Sequence, residues 1–299
     1  MTPFMPGEVN NFQQTIRRER EFVGIGLHNG RVAKVNLRPL DENSGILFRR
    51  MDLNKKEIPA DSANVSDTLQ ATTLRFDGAE VGTVEHLLSA LAVLGIDNLL
   101  VEVDSPELPI LDGSAAPWML FLLSACGISR QRAAKRFIRV KKTVEIKDGS
   151  RSVSFLPNDG WVNYRVTIDY PHSVVQRSGN HFAHTLSAYE YGRDISRART
   201  FCYLNDVELM RKNRRALGGS LANAVVYDDN GILNEEGLRY ENEFVRHKVL
   251  DVIGDCYVNG NLILSDYEGV QPGHKLNNQL MRALMADKEA WEYVEAPLN

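Results

Sequence analysis

Glu85-His86 and His247-Lys248-Val249-Leu250-Asp251 stand about 160 positions apart, and they limit what this chain can become more than any other feature. A carboxylate sits beside one potential metal ligand, and two further ligand types follow at helical i, i+4 spacing. Hydrolytic zinc sites take three side-chain ligands, leave a fourth position open to water and keep a general base close by. A fold that brings His86, His247 and Asp251 to one point makes a metal-dependent hydrolase. A fold that keeps them apart leaves two ordinary helix surfaces.

Local patterning supports placing both segments on helices. Gly82 to Gly95 carries Val84, Leu87, Leu88, Leu91, Ala92 and Leu94 at helical spacing, with Thr83 placed to cap the start and Gly95 the end. His86 then lies in the first turn, where the positive end of the helix dipole keeps an imidazole neutral and able to bind a cation. Glu85 is placed to act on a water as base, while the plainer reading is that it complements the helix dipole. Tyr240 to Tyr257 is predicted to be the main helix of the second half. Val245, Val249, Val252, Ile253 and Cys256 form its apolar side, so His247, Asp251 and Asp255, flanked by Lys248, are predicted to point away from the core. Taken alone, such a row is common surface decoration.

Three further places carry candidate chemistry. His274, in a Gly-bearing loop predicted before a last helix over Asn277 to Lys288, suits a general acid or cationic stabiliser. Asp255, one turn beyond Asp251, is placed to orient that ring and raise its pKa. Thr200, in Ala198-Arg199-Thr200-Phe201, offers a hydroxyl to a developing oxyanion, and Phe201 a ring to stack on a sugar or acyl group, although both are more often plain packing. Leu217-Gly218-Gly219-Ser220 is too short for a phosphate loop and reads as a turn. His28, His172, His181 and His184 have no partner spacing that marks them.

Elsewhere the chain alternates as strands do over Val32 to Pro39, Gly45 to Arg50, Leu99 to Val103, Phe137 to Val140, Thr143 to Lys147, Ser152 to Leu156, Tyr164 to Tyr170 and Asn261 to Leu264. Pro117 to Ala125 is predicted as an apolar helix ended by Gly127, and Asp206 to Arg214 as another helix. The boundary between two halves of like order falls near Ala133-Ala134-Lys135. A net charge of −4 argues against broad nucleic-acid binding, although Arg211-Lys212-Asn213-Arg214-Arg215 is a local basic cluster. Three scattered cysteines point to a reducing compartment rather than a disulfide scaffold. Neither a signal peptide nor an apolar run of about 20 residues is visible. A soluble, cytoplasmic monomer is therefore expected.

Five segments occur in the order of a known family: Thr83-Val84-Glu85-His86-Leu87-Leu88-Ser89-Ala90-Leu91; Pro109-Ile110-Leu111-Asp112-Gly113-Ser114-Ala115; Ala198-Arg199-Thr200-Phe201; His247-Lys248-Val249-Leu250-Asp251 with Gly254-Asp255; and Gly273-His274-Lys275-Leu276-Asn277-Asn278. From about Gln14 to Val294 the chain resembles the UDP-3-O-acyl-N-acetylglucosamine deacetylases, zinc amidases of the committed step of lipid A biosynthesis. The resemblance implies zinc held by His86, His247 and Asp251, with Glu85 as general base. It further implies Thr200 as oxyanion donor, Lys248 as a cation contacting an acylated UDP-sugar substrate and Phe201 near the sugar. His274 is implied beside the leaving amine, with Asp255 as its partner. It implies an α+β fold of two domains of similar design, each a sheet with helices, layered so that helices pack between the sheets. The expected domains are 1–133 and 134–299, with an insert near 200–223 that builds an acyl passage. Ala71 stands where some relatives carry cysteine, and Gln70 replaces an apolar neighbour; residues 1–13 extend beyond the usual start. Rival readings are another zinc amidase or peptidase, against which the absence of an H-E-x-x-H helix counts, and a non-catalytic binding module with structural zinc.

Overall fold

Along Val32–Pro39 every second residue (Ala33, Val35 and Leu37) is buried, and this alternation sets one face of the first sheet against the core. The structure, a computed structural model, describes residues 11–297; residues 1–10 of the extension expected beyond the usual start lie outside it. The first sheet has the order Arg20–Ile25, Val32–Pro39, Leu99–Val103, Ile46–Arg50, Lys56–Pro59. Leu99–Val103 runs antiparallel to the second strand and parallel to the fourth, and as a central strand it is buried along its whole length. A small sheet of Val65–Asp67, Thr73–Phe76 and Ala79–Val81 follows.

The second large sheet runs Val144–Asp148, Arg151–Leu156, Leu262–Val270, Arg136–Val140, Trp291–Glu295, with Val162–Thr167 also paired to Leu262–Val270 and His181–Thr185 beyond it. Leu262–Val270 is longer than its expected Asn261 to Leu264. The stretch from Ser265 onward is rich in polar residues and lacks a strand signature, but pairing with both Arg151–Leu156 and Val162–Thr167 holds it extended. Phe12–Ile16 pairs with Ile128–Ala134 just before the second sheet begins.

Seven α-helices occur among the described residues: α1 Glu85–Leu94, α2 Ala116–Leu120, α3 Ser173–Arg177, α4 Ala188–Asp194, α5 Leu204–Lys212, α6 Glu243–Cys256 and α7 His274–Ala286. The molecule is α+β, with helices packed between the sheets; α1 lies against α6, and α6 against α7. Gly95, at φ 65°, closes α1 in the left-handed conformation that glycine adopts without strain.

Several sequence expectations need correction. Thr83 does not cap α1: it sits at φ 56°, and its hydroxyl donates instead to Glu107 Oε1 at 2.9 Å. Glu107 also accepts the backbone N–H groups of His28 and Asn29 at 2.8 and 2.9 Å, so the start of α1 is tied to the turn after Arg20–Ile25. The apolar helix at Pro117 becomes π-helical over Phe121–Cys126. His274 is not in a loop but is the first residue of α7, three positions before the expected start, with Gly273 as N-cap. The polar side of α6 does not point away from the core. His247, Asp251 and Asp255 are as buried as Val249 and Ile253, because α1 and α7 cover that side. Periodicity separates two faces of a helix, but it does not say whether the second face meets water or another helix.

Candidate metal centre and its cavity

α1 and α6 cross at unusually close range. A Cβ on Gly254 would lie 2.0 Å from the Glu85 carbonyl oxygen, so no other residue fits there without moving a backbone. This crossing brings the start of α1 against the His247-to-Asp255 side of α6. His247 Nε2 lies 3.3 Å from Asp251 Oδ1, and His86 Nε2 lies 3.7 Å from the same oxygen. The two imidazoles meet edge to face with centroids 5.2 Å apart. One ligand atom from each of His86, His247 and Asp251 lies within 4.8 Å of the others, and all three residues are buried.

The donor set fits a tetrahedral zinc ion. Zinc–nitrogen and zinc–oxygen bonds of about 2.0–2.2 Å put neighbouring ligand atoms about 3.3–3.6 Å apart, close to the separations found. The His247 Nδ1–H donates to the Ala198 carbonyl at 3.0 Å, which fixes the tautomer that leaves the Nε2 lone pair facing Asp251. Ala198 is held in turn by Arg199, whose buried guanidinium pairs with Glu243 at 2.9 Å and with Glu236. The Ala198-Arg199 segment therefore anchors a ligand from behind. Lys248 Nζ donates to Asp251 Oδ2 at 2.7 Å, leaving Oδ1 free on the side of the two Nε2 atoms.

Electrostatics keep each group in the form this geometry needs. Burial, reinforced by His247, pushes His86 down to about 3, and burial likewise lowers His247, so both rings are neutral near pH 7, the form a metal ion requires. Burial alone would raise Asp251, but His247, Lys248, His274 and His86 together hold it well below the ordinary carboxylate range. Glu85, beside the cluster, is pushed up to about 7, chiefly by burial. Burial would lower His274, yet the Asp255 carboxylate overrides it and, with Glu85 and Asp251, lifts it to about 9.

His274 Nδ1 lies 2.8 Å from Asp255 Oδ2, and Asn277 Nδ2 donates to the same oxygen at 2.8 Å. Thr72 was not singled out by sequence, yet it joins Glu85 to the Asp255–His274 pair. Its backbone N–H donates to Glu85 Oε2 at 3.0 Å and its hydroxyl to Asp255 Oδ1 at 2.6 Å. No periodicity or motif marks it, because its role exists only once the chain has folded back 183 positions from Asp255.

Glu85, His86, His247, Lys248, Asp251 and His274 line one cavity of about 720 Å³. Thr200 lines it too, hydrogen-bonded through its backbone N–H to Gly113 O at 2.8 Å. Gly113 itself touches the following segment so closely that a Cβ would fall 2.0 Å from Asn223 O, which accounts for the glycine in Asp112-Gly113-Ser114. Phe201 packs edge to face on Phe244 at 5.0 Å and Tyr170 at 5.4 Å, with Lys248 Nζ 5.6 Å from its ring centre. His28 and His172, unmarked in sequence, also line the cavity, whereas His181 and His184 do not. Val207, Met210, Ala216, Leu221, Val226 and Leu233 give the cavity an apolar wall, drawn largely from α5 and the loop after it.

Comparison with known proteins agrees with this arrangement. A profile of the UDP-3-O-acyl N-acetylglycosamine deacetylase family matches residues 13–286. Proteins named UDP-3-O-acyl-N-acetylglucosamine deacetylase are similar throughout. That of Xanthomonas euvesicatoria is 48% identical over 286 residues, covering 95% of this chain and 94% of the relative. That of Xylella fastidiosa is 47% identical over 286 residues, covering 95% and 93%. With a match of this extent, the chain belongs to the UDP-3-O-acyl N-acetylglycosamine deacetylase family.

Proposed function

We propose that this protein removes the N-acetyl group of UDP-3-O-acyl-N-acetylglucosamine, releasing acetate and a free sugar amine in lipid A biosynthesis, and that it does so with zinc. The observation that carries the reading is the meeting of His86, His247 and Asp251 in a cavity flanked by Glu85 and His274 and walled by apolar side chains.

His86, His247 and Asp251 would hold the ion. When bound, zinc supplies Lewis acidity that polarises an amide carbonyl and acidifies water. Glu85, poised near 7 with one oxygen held by Thr72, takes a proton from water as its oxygen bonds to the acetyl carbon. The Thr200 hydroxyl donates to the carbonyl oxygen as it gains charge. His274 is protonated at neutral pH, with Nδ1–H on Asp255, so its Nε2–H serves the nitrogen as the C–N bond breaks. Lys248 orients Asp251 and offers charge to the diphosphate, and Phe201 packs beside the sugar.

The acyl chain is assigned to the apolar wall of Val207, Met210, Ala216 and Leu221, the lining side chains of the expected insert at 200–223. A boundary between 133 and 134 is supported by the large sheets, one of which lies wholly before it and the other wholly after it. A cytoplasmic, monomeric enzyme is consistent with three cysteines that are free; no described helix is long and apolar enough to cross a membrane.

The test is acetate release from the acylated UDP-sugar by metal-stripped protein before and after zinc is restored. Activity that needs zinc and vanishes in Asp251→Ala supports the reading; zinc-independent release would sink it.

A further inference from the structure

Exposed apolar side chains gather beside the cavity, and we call this patch its rim. Two distant segments form it and are hydrogen-bonded together, with Leu217 N donating to His28 O at 3.1 Å and Gly218 N to Leu27 O at 3.0 Å. One segment brings Val23 and Ile25 and, opposite Ile25 across the hairpin, Val32. The other brings Leu209, Leu217 and Leu221. All six side chains are between 45% and 65% exposed, and Leu209 and Leu221 line the cavity as well. Scattered exposed leucines are ordinary, but six exposed apolar side chains on two joined segments, two of them lining the cavity, are not.

The charge around this rim has the opposite sign to that of the chain. Arg31, Arg211, Lys212 and Arg214 are exposed, and among the described residues none of them forms an ion pair. Asp206 and Glu208 lie on α5 close in sequence to three of them, and Glu21, beside Val23 and Ile25 on the exposed strand face, is paired with Lys34; the chain as a whole has net charge −4. Exposed apolar side chains ringed by unpaired cations match the chemistry of an anionic bilayer surface, which takes the first into its acyl boundary and the second against its headgroups. A second copy docked by a two-fold axis would set these cations against their own kind.

We propose that this rim docks the protein on anionic phospholipid, with the cavity mouth turned toward the membrane. The acyl chain of a substrate then passes between bilayer and cavity without crossing water. The docking goes beyond the reaction and leans on the acyl assignment only for its purpose, so its failure leaves the deacetylase reading intact.

Flotation of the full-length protein with substrate-free vesicles tests it. Wild type is expected to bind phosphatidylglycerol–phosphatidylethanolamine vesicles, not phosphatidylcholine vesicles, and to be released by salt. The Lys212→Gln/Arg214→Gln variant is expected to bind about 25-fold more weakly, at about fivefold per cation, and Val32→Ser/Leu217→Ser to lose binding as well. None of these residues lines the cavity, so both variants should release acetate from a short-acyl substrate at the wild-type rate, which also shows that they fold. Absence of wild-type binding to the anionic vesicles, equal binding by wild type and variants, or a dimer in solution dissolved by the same substitutions would overturn the proposal.

Discussion

Gly254 lies directly against Glu85, leaving no space for a Cβ between α6 and the backbone of the first residue of α1. His86 on one helix and His247 and Asp251 on the other meet only because this crossing is so tight. Gly254→Ala must push the helices apart, and overpacking of this kind costs about 1–3 kcal/mol or more. The variant is expected to melt lower and to bind zinc less tightly than wild type, read by calorimetry and by metal content after dialysis. Unchanged zinc affinity would show that the crossing does not set the site.

The rate should follow a bell against pH. Glu85, pushed up to about 7, must lose its proton, so activity rises with pH through that range; zinc, as a nearby positive charge, moves this limb to lower pH. His274 must keep its proton, so activity falls as pH passes about 9. Glu85→Ala should retain zinc, lose about 10²–10⁴ in kcat and lose the acid limb. An intact acid limb in that variant would take the base role from Glu85.

Asp255→Asn separates the charge on His274 from its position. The amide still reaches the ring, but the carboxylate that raises His274 against burial is gone. Its pKa is then expected to fall, because burial disfavours imidazolium and only Glu85 and Asp251 still oppose it. The alkaline limb moves toward acid and kcat near pH 8 drops by about tenfold or more, with KM little altered. Histidine NMR titration checks the shift directly.

Metal removal should be visible without any substrate. Zinc at about a hundredfold over its Kd stabilises the folded chain by about 2.7 kcal/mol, so a chelator is expected to lower the Tm and zinc to restore it. His247→Ala should show neither effect. A Tm indifferent to chelator would argue against a resident ion.

Lys135 and Asp97 test the junction between the two sheets. Lys135 Nζ lies 2.6 and 2.7 Å from the Asp97 carboxylate oxygens and 2.8 Å from Gly95 O, just past the end of α1. Burial pushes Asp97 up and Lys135 down, so neither ion is comfortable without the other. Lys135→Met leaves a buried carboxylate unpaired and should cost about 3–5 kcal/mol in urea unfolding, most of it recovered by Asp97→Asn in the same chain.

Chemical identity and local spacing were legible in the sequence. The i, i+4 relation of His247 and Asp251, the place of His86 in a first turn and the further turn to Asp255 all follow from 3.6-residue periodicity, which each segment carries within itself. The strand alternation of Val32–Pro39 is legible for the same reason. What lies opposite each helix is not local. Thr72 bridging Glu85 and Asp255, Thr83 drawn to Glu107 and His274 beginning α7 each depend on a contact made in the folded chain. The polar side of α6 illustrates the difference: its sequence pattern would be the same in water, and only the arrival of α1 and α7 buries it, shifts its pKa values and makes it a site. Sequence determined which groups were available to this protein. Tertiary packing decided which of them meet and in which protonation state, because desolvation and charge pairing act between residues that only folding brings together.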